Sequence, residues 1–181
     1  MATLFPPSRK TSLPGGYMGR LLRVDLTTGS LSDEHLPESD LLENLIGGQA
    51  LACYILLKEL PLDATPFGPE NRVVIMTGPI TGTGLTPGGT KATAVYLSPL
   101  TGSTLGRGAT SGFWGAYLKA SGHDGLIIEG ASPKPVYLFI NDGRAELRDA
   151  SRVWGKGTRA TEEMLRGEVG DRKSTRLNSS H

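Results

Sequence analysis

Residues 126–147 read LIIEGASPKPVYLFINDGRAEL, and this stretch carries the fold class. Leu126 to Glu129, Val136 to Ile140 and Ala145 to Leu147 are short runs of strand-forming residues. The last two are joined by Asn141-Asp142-Gly143, a strong tight-hairpin signal. Upstream the pattern repeats. Leu21, Leu22, Val24 and Leu26 form a short strand, Thr27-Thr28-Gly29 turns the chain and Leu31 resumes, which predicts a second hairpin. Val73 to Met76 and Ala92 to Leu97 read as two further strands. Between them, Glu38 to Leu60 places Leu41, Leu42, Leu45 and Ile46, then Leu51, Tyr54, Ile55, Leu56 and Leu60, at helical spacing. Gly47-Gly48 should break that helix in two, because glycine costs about 1 kcal/mol in a helix interior. Gly112 to Ala120 and Thr158 to Val169 are the remaining predicted helices. Strands outnumber helices and short turns connect neighbours. That favours an α+β fold of mainly antiparallel short strands with a few packed helices over a doubly wound sheet.

The chain has 181 residues, room for one ordinary domain. Lys and Arg number 19 against 18 acidic residues, so no basic field recruits nucleic acid. No apolar run approaches a membrane span, and the opening MATLFPPSRKTSLPGG lacks the apolar core of a secretory signal. No membrane association and a cytoplasmic location are therefore expected. A single cysteine excludes an internal disulfide and a multi-cysteine metal site. Residues 1–16, rich in Pro and Gly, read as a flexible arm, and residues 17–170 as the domain. Residues 171–181, DRKSTRLNSSH, break the pattern and resemble translated adaptor sequence, so they are set aside as a non-native tail on a chain that naturally continues.

Glycine is the unusual residue, with 25 in the chain and ten between Gly78 and Gly115. That segment reads GPITGTGLTPGGTKATAVYLSPLTGSTLGRGATSGFWG and carries two cations, Lys91 and Arg107, with no acidic residue. Glycine lets backbone N–H groups approach and converge on an anion, and Ser111-Gly112 stands just before a predicted helix, whose N-terminus adds free donors. A phosphate is the natural occupant. Glycines also mark tight turns and bulges between short strands, and composition leaves both readings open. Established phosphate motifs do not fit. Gly84 to Lys91 reads GLTPGGTK, with Thr before Lys, and Gly106 to Ser111 has Ser where a dinucleotide fingerprint needs its third glycine. His35 and His123 lack catalytic partners and read as surface or satisfied side chains. Cys53, between Ala52 and Tyr54, reads as core, and Trp114 and Trp154 as core or subunit-contact residues.

Several motifs occur in a telling order: GRLLRVDLTTG, IGGQALACYILLKEL, FGPENRVVIMTGPITGT, SPLTG, FWGAYLKASGHDGLIIEG, PVYLFI and DASRVWGKGT. Together they resemble the N-terminal domain of the tungsten-containing aldehyde ferredoxin oxidoreductases, from Gly19 to Gly170. The resemblance implies an α+β domain that is the first part of a duplicated base for a tungsten, or in some relatives molybdenum, bis-pterin. It implies that the metal is held by pterin dithiolenes, and that later domains bring a [4Fe-4S] cluster and the catalytic groups. The implied reaction oxidises aldehydes to carboxylic acids and passes electrons to ferredoxin or another acceptor. Phe113-Trp114 and Gly155-Lys156-Gly157-Thr158 are also similar to the tungsten subunits of benzoyl-CoA reductases.

Carried over by position, the family's pterin-contacting arginine falls on Lys91 when counted back from Ser98-Pro99, and on Thr90 when counted forward from Gly89. The family's asparagine falls on Ala109, and its next contact, a glycine, on Ser111, followed by Gly112. The expected cofactor-binding set is thus Gly89, Thr90, Lys91, Ala109, Ser111 and Gly112, with Arg107 as a compensating cation. No catalytic or metal-ligating residue is expected in this chain, which alone should be inactive. A non-catalytic anion-binding or assembly module is the competing expectation, favoured by Lys91 and Ala109 in place of Arg and Asn. Partners are the remaining domains of the parent chain and an electron acceptor, with a homo-oligomer left open.

Overall fold

A computed structural model describes residues 13–87 and 89–170. Most of the arm expected over 1–16, and all of the tail over 171–181, lie outside the described residues. The elements run β1 (Arg20–Asp25), β2 (Ser30–His35), α1 (Ser39–Leu45), α2 (Gly48–Glu59), β3 (Arg72–Met76), β4 (Ala92–Leu97), β5 (Leu105–Thr110), α3 (Trp114–Ala120), β6 (Gly125–Glu129), β7 (Val136–Asn141), β8 (Arg144–Asp149) and α4 (Thr158–Val169).

Six strands form one sheet in the order β2-β1-β6-β3-β4-β5, and β7 and β8 form a second, two-stranded sheet. Both expected hairpins are present: β1 pairs β2 with Arg20 opposite His35, and β7 pairs β8 with Asn141 opposite Arg144. In the second turn Asp142 and Gly143 both have positive φ, 48° and 76°, as a tight hairpin whose twist matches its strands requires. The helix expected over 38–60 is broken where Ile46 enters the left-handed region at φ 59° and Gly47 follows at φ 93°. The Gly48 amide then donates to the Thr77 carbonyl at 2.9 Å, which pins the start of α2 beside the end of β3.

Strand alternation sorts the core into two layers. Leu21, Val74, Met76, Val95 and Ile127 face Leu51, Ala52, Ile55 and Leu56 of α2, with Leu41 and Leu42 of α1 at its edge. Leu22, Val24 and Leu126 face the opposite way, against Leu118 of α3 and Leu138, Ile140, Ala145 and Leu147 of the β7–β8 hairpin. Beyond the first layer, the sheet and α2 are also joined by charge. The Arg23 guanidinium donates to Glu34, to Glu59 at 2.9 Å and to Glu129 at 3.1 Å, and Arg72 Nε donates to Glu129 at 2.7 Å.

The structure adds to the sequence reading in three places. The sequence predicts no strand at LGRGAT, yet β5 pairs with β4 through all six residues, Leu105 opposite Leu97 to Thr110 opposite Ala92. β1 and β6 pair in parallel, Leu22 opposite Leu126, within an otherwise antiparallel sheet. Finally, Trp114 and Trp154 are 41% and 72% exposed, which sets aside the core reading for both and leaves the subunit-contact reading as the expectation.

Candidate anion-binding site

The glycine-rich segment divides into three parts. Residues 77–91 link β3 to β4, β5 follows the Ser98–Thr104 turn, and Ser111 to Phe113 lead into α3. The first part is internally bonded. The Gly78 amide donates to Thr81 Oγ1 at 3.1 Å, and that hydroxyl donates to the Lys91 carbonyl at 3.3 Å, tying the loop's two ends together. Gly82 N–H donates to the Gly89 carbonyl at 2.7 Å, and Gly89 N–H to the Thr86 carbonyl at 3.1 Å. The loop lies against the first turn of α3. A Cβ on Gly115 would fall 2.7 Å from the Thr90 carbonyl oxygen, so only glycine permits this approach.

This packing brings the six expected residues to one end of the β4–β5 ladder. Gly89 and Thr90 are half-buried at the close of the loop, and Lys91 is exposed immediately before β4. Across the ladder Ala109 stands opposite Thr93 and Thr110 opposite Ala92, so Ser111 and Gly112 leave β5 beside the residue where Lys91 enters β4. The Lys91 ammonium has no ion-pair partner among the described residues. Arg107 is exposed, and its Nη1 donates to Gln49 Oε1 at 2.7 Å at the start of α2. The two cations are therefore not equivalent: one is unengaged and the other is tethered to a helix.

Two expectations about donors are revised. The helix begins at Trp114 rather than Gly112, which leaves Ser111 and Gly112 in the connection, Gly112 at φ 83°. The 105–110 backbone, expected to offer loop amides, is committed along one side to the ladder with β4. What remains for an anion is the Lys91 ammonium, the connection after β5 and the Thr90 amide at the loop mouth, the Gly89 amide being spent on the Thr86 carbonyl, with no carboxylate in the segment.

The structure adds residues that the sequence reading did not single out. Thr81 is 5% exposed, and beneath it lies a buried ion pair, Lys119 Nζ to Asp124 Oδ1 at 3.1 Å. That contact is close but poorly aligned, and Asp124 Oδ1 has no hydrogen-bond partner. The other oxygen, Oδ2, accepts the Met18 and Gly19 amides, each at 2.8 Å. Lys119 also sits 5.5 Å over the Tyr17 ring, whose phenol is pushed above its ordinary range by burial and then by the Asp124 charge. Within YLKASGHDG, Lys119 and Asp124 are separated by Ala-Ser-Gly-His, which carries no signal of a buried pair. His123 is fully buried and bonded to Asp33, as a satisfied histidine should be. An open hollow of about 460 Å³ lies elsewhere, lined by Phe139, Asn141, Arg148, Glu168 and Val169. It shares no residue with the glycine segment, and its Arg148 is stacked on Phe139 and paired with Glu146.

A family model described as "Aldehyde ferredoxin oxidoreductase, N-terminal domain" matches residues 21–177. The chain belongs to the aldehyde ferredoxin oxidoreductase family. The matched span runs past Gly170 into the segment set aside as a tail. The chain is 43% identical over 157 residues to the tungsten-containing aldehyde ferredoxin oxidoreductase of Pyrococcus horikoshii, covering 87% of this chain and 25% of that protein. It is also 43% identical over 144 residues to the aliphatic sulfonate oxidoreductase, WOR-like subunit, of Pyrococcus furiosus, covering 78% and 22%. Among solved structures it is similar to the active site complex BamBC of benzoyl coenzyme A reductase in complex with 1,5-dienoyl-CoA, with TM-score 0.83, 34% identity and coverage of 88% of this chain and 24% of that one. The chain thus spans about a quarter of the length of these relatives. The α+β class expected from strand and turn pattern agrees with that structural match. No helix among the described residues is long and apolar enough to cross a membrane.

Proposed function

We propose that this domain binds the phosphate-bearing end of a tungsten pterin, as the N-terminal part of an oxidoreductase that converts aldehydes to carboxylic acids. The supporting observation is Lys91, without an ion-pair partner among the described residues, where the backbone of Gly89-Thr90 meets that of Ala109, Ser111 and Gly112, in a segment without carboxylates. The donor set suits a phosphate: a point charge plus backbone N–H groups at a close, glycine-lined surface. When bound, the cofactor supplies two-electron chemistry, in which aldehyde and water yield a carboxylic acid, two protons and two electrons.

The residues of this chain hold and orient. Lys91 neutralises the anion, and the Ser111 and Gly112 connection offers main-chain donors where Ala109 provides no side-chain amide. Thr90, whose carbonyl faces Gly115, sets the depth of the floor. Among the described residues no group of three or more His, Cys, Asp or Glu is arranged to hold a metal ion. The metal in this reading is carried by the pterin, and a [4Fe-4S] cluster in the rest of the parent chain passes electrons to ferredoxin.

Amide chemical shifts during a phosphate titration test the site. Shifts should concentrate at residues 89–91 and 109–112, and Lys91→Met should weaken binding about fivefold, the worth of one exposed charged contact. Shifts scattered over the surface would overturn the reading. A second reading rests on the BamBC likeness and the exposed Phe113 and Trp114: the parent acts on a CoA thioester within a larger complex. Assay of the full-length parent with an aldehyde and with a benzoyl thioester separates the two.

A further inference from the structure

Lys119 is a buried ammonium at the end of α3, and it faces three separate chain segments. Its Nζ donates to the Gly16 carbonyl, to the Gly78 carbonyl at 2.9 Å, and lies 3.1 Å from Asp124 Oδ1. Gly16 belongs to the approach to β1, Gly78 opens the glycine-rich loop, and Asp124 immediately precedes β6. Asp124 extends the same junction. Its Oδ2 accepts the Met18 and Gly19 amides, and its carbonyl accepts both the amide and the hydroxyl of Thr77, at 2.9 and 2.6 Å.

Stability alone is a poor account of this arrangement. A buried ion pair must overcome the loss of water around both charges, and well-packed apolar side chains of similar volume often do as well or better. What an apolar contact cannot do is fix direction. Two ammonium protons donated to carbonyls of separate segments, with the Asp124 charge close by, set the relative height of those segments.

From Lys119 a continuous chain of hydrogen bonds leads to the candidate site. Lys119 Nζ donates to the Gly78 carbonyl, the Gly78 amide donates to Thr81 Oγ1 at 3.1 Å, and Thr81 Oγ1 donates to the Lys91 carbonyl at 3.3 Å. Thr81 is itself buried, so solvent does not compete for its hydroxyl. We propose that Lys119 is a positioning residue for the anion loop, holding the Lys91 backbone in place through Gly78 and Thr81. The inference rests on the reading of Lys91 as an anion ligand. Lys119 touches neither anion nor substrate and acts only through the loop.

Amide hydrogen exchange and inorganic phosphate titration on the 181-residue chain test this, comparing Lys119→Met, Lys119→Arg and Lys91→Met. With Lys119→Met, amides at Gly78, Thr81, Gly82 and Gly89 should exchange about tenfold faster, as in local opening, while those of Val24 and Ile127 keep their protection. Phosphate affinity should fall with them, and Lys119→Arg, which keeps a charged donor, should restore both in part. Lys91→Met should weaken phosphate binding and leave the exchange pattern as in the parent chain. Loop amides that stay protected in Lys119→Met, or acceleration spread evenly over the core, would overturn the proposal. If the parent chain fails to bind phosphate, the anion reading falls, and the exchange comparison still decides whether Lys119 fixes the loop. Should Lys119→Met not fold, Thr81→Val breaks the chain one step later with the ion pair intact. It should give the same loop-confined acceleration, and its failure to do so counts against the proposal.

Discussion

His123 Nε2 lies 3.0 Å from Asp33 Oδ1, joining the turn before β6 to the edge strand β2. The other Asp33 oxygen accepts from Arg20 Nη1 at 2.8 Å. Burial pushes the Asp33 carboxyl upward, but the His123 imidazole and then the Arg20 guanidinium outweigh it and hold the group below its usual 3.8. A carboxyl depressed by folding contributes stability that is complete above its unfolded pKa and is lost as pH falls through the folded value. Thermal unfolding should therefore show a decline on acidification below the ordinary carboxylate range. Asp33→Asn should be less stable at neutral pH and lose less over that acid interval. An unchanged acid slope in Asp33→Asn would show that Asp33 does not contribute there.

Gly106 tests why β5 is a strand at all. A Cβ at this position would fall 2.5 Å from Tyr96 Cε2, so the ring opposite occupies the space that a side chain would need. Gly106→Ala should cost about 1–3 kcal/mol, as overpacking does. Gly108, two residues on, has nothing within 4 Å of a Cβ, and Gly108→Ala should stay within about 0.5 kcal/mol of the parent. Urea unfolding of the two variants, differing by one position on the same face, reads the contrast.

The α2 layer should dominate stability. Leu56 is fully buried against the sheet, whereas its neighbour Leu57 is 72% exposed. Leu56→Ala should lose about 2–5 kcal/mol through lost transfer energy and the cavity left behind. Leu57→Ala should change stability by about 0.5 kcal/mol or less. Denaturation midpoints of the pair measure this, and equal losses would contradict the layer assignment.

If Lys91 meets a phosphate as proposed, it does so as a point charge, where a planar guanidinium would offer a two-pronged fork. Lys91→Arg should bind phosphate severalfold tighter than the parent chain, since paired charge-assisted bonds are stronger than a single point contact. Calorimetric titration reads the change. An affinity that falls in Lys91→Arg would mean that the ammonium's size, not its charge, fits the mouth.

Much of the fold was legible because the local pattern was strong. β4 and α4 fall where the alternation and the amphipathic stretch placed them, at Ala92–Leu97 and Thr158–Val169. β5 was not legible, because LGRGAT has little strand preference of its own. Its conformation is imposed by the partner strand and by the Tyr96 ring over Gly106. The parallel pairing of β1 with β6 was hidden for a different reason: it joins segments about a hundred residues apart, beyond any local period. At the candidate site, the glycines and Lys91 stood out by composition. Thr81 did not, as one threonine among many, and nothing local marks Lys119, whose carbonyl partners lie far away in sequence.

β5 is the outermost strand of the six, so one side of its backbone has no ladder neighbour among the described residues. Its side chains offer little to keep a visitor away, because Arg107 is its only charge. Such a border is a template for strand addition by another copy. The separated chain should accordingly sediment heavier as its concentration rises, and an added lysine at Ala109 should keep it monodisperse.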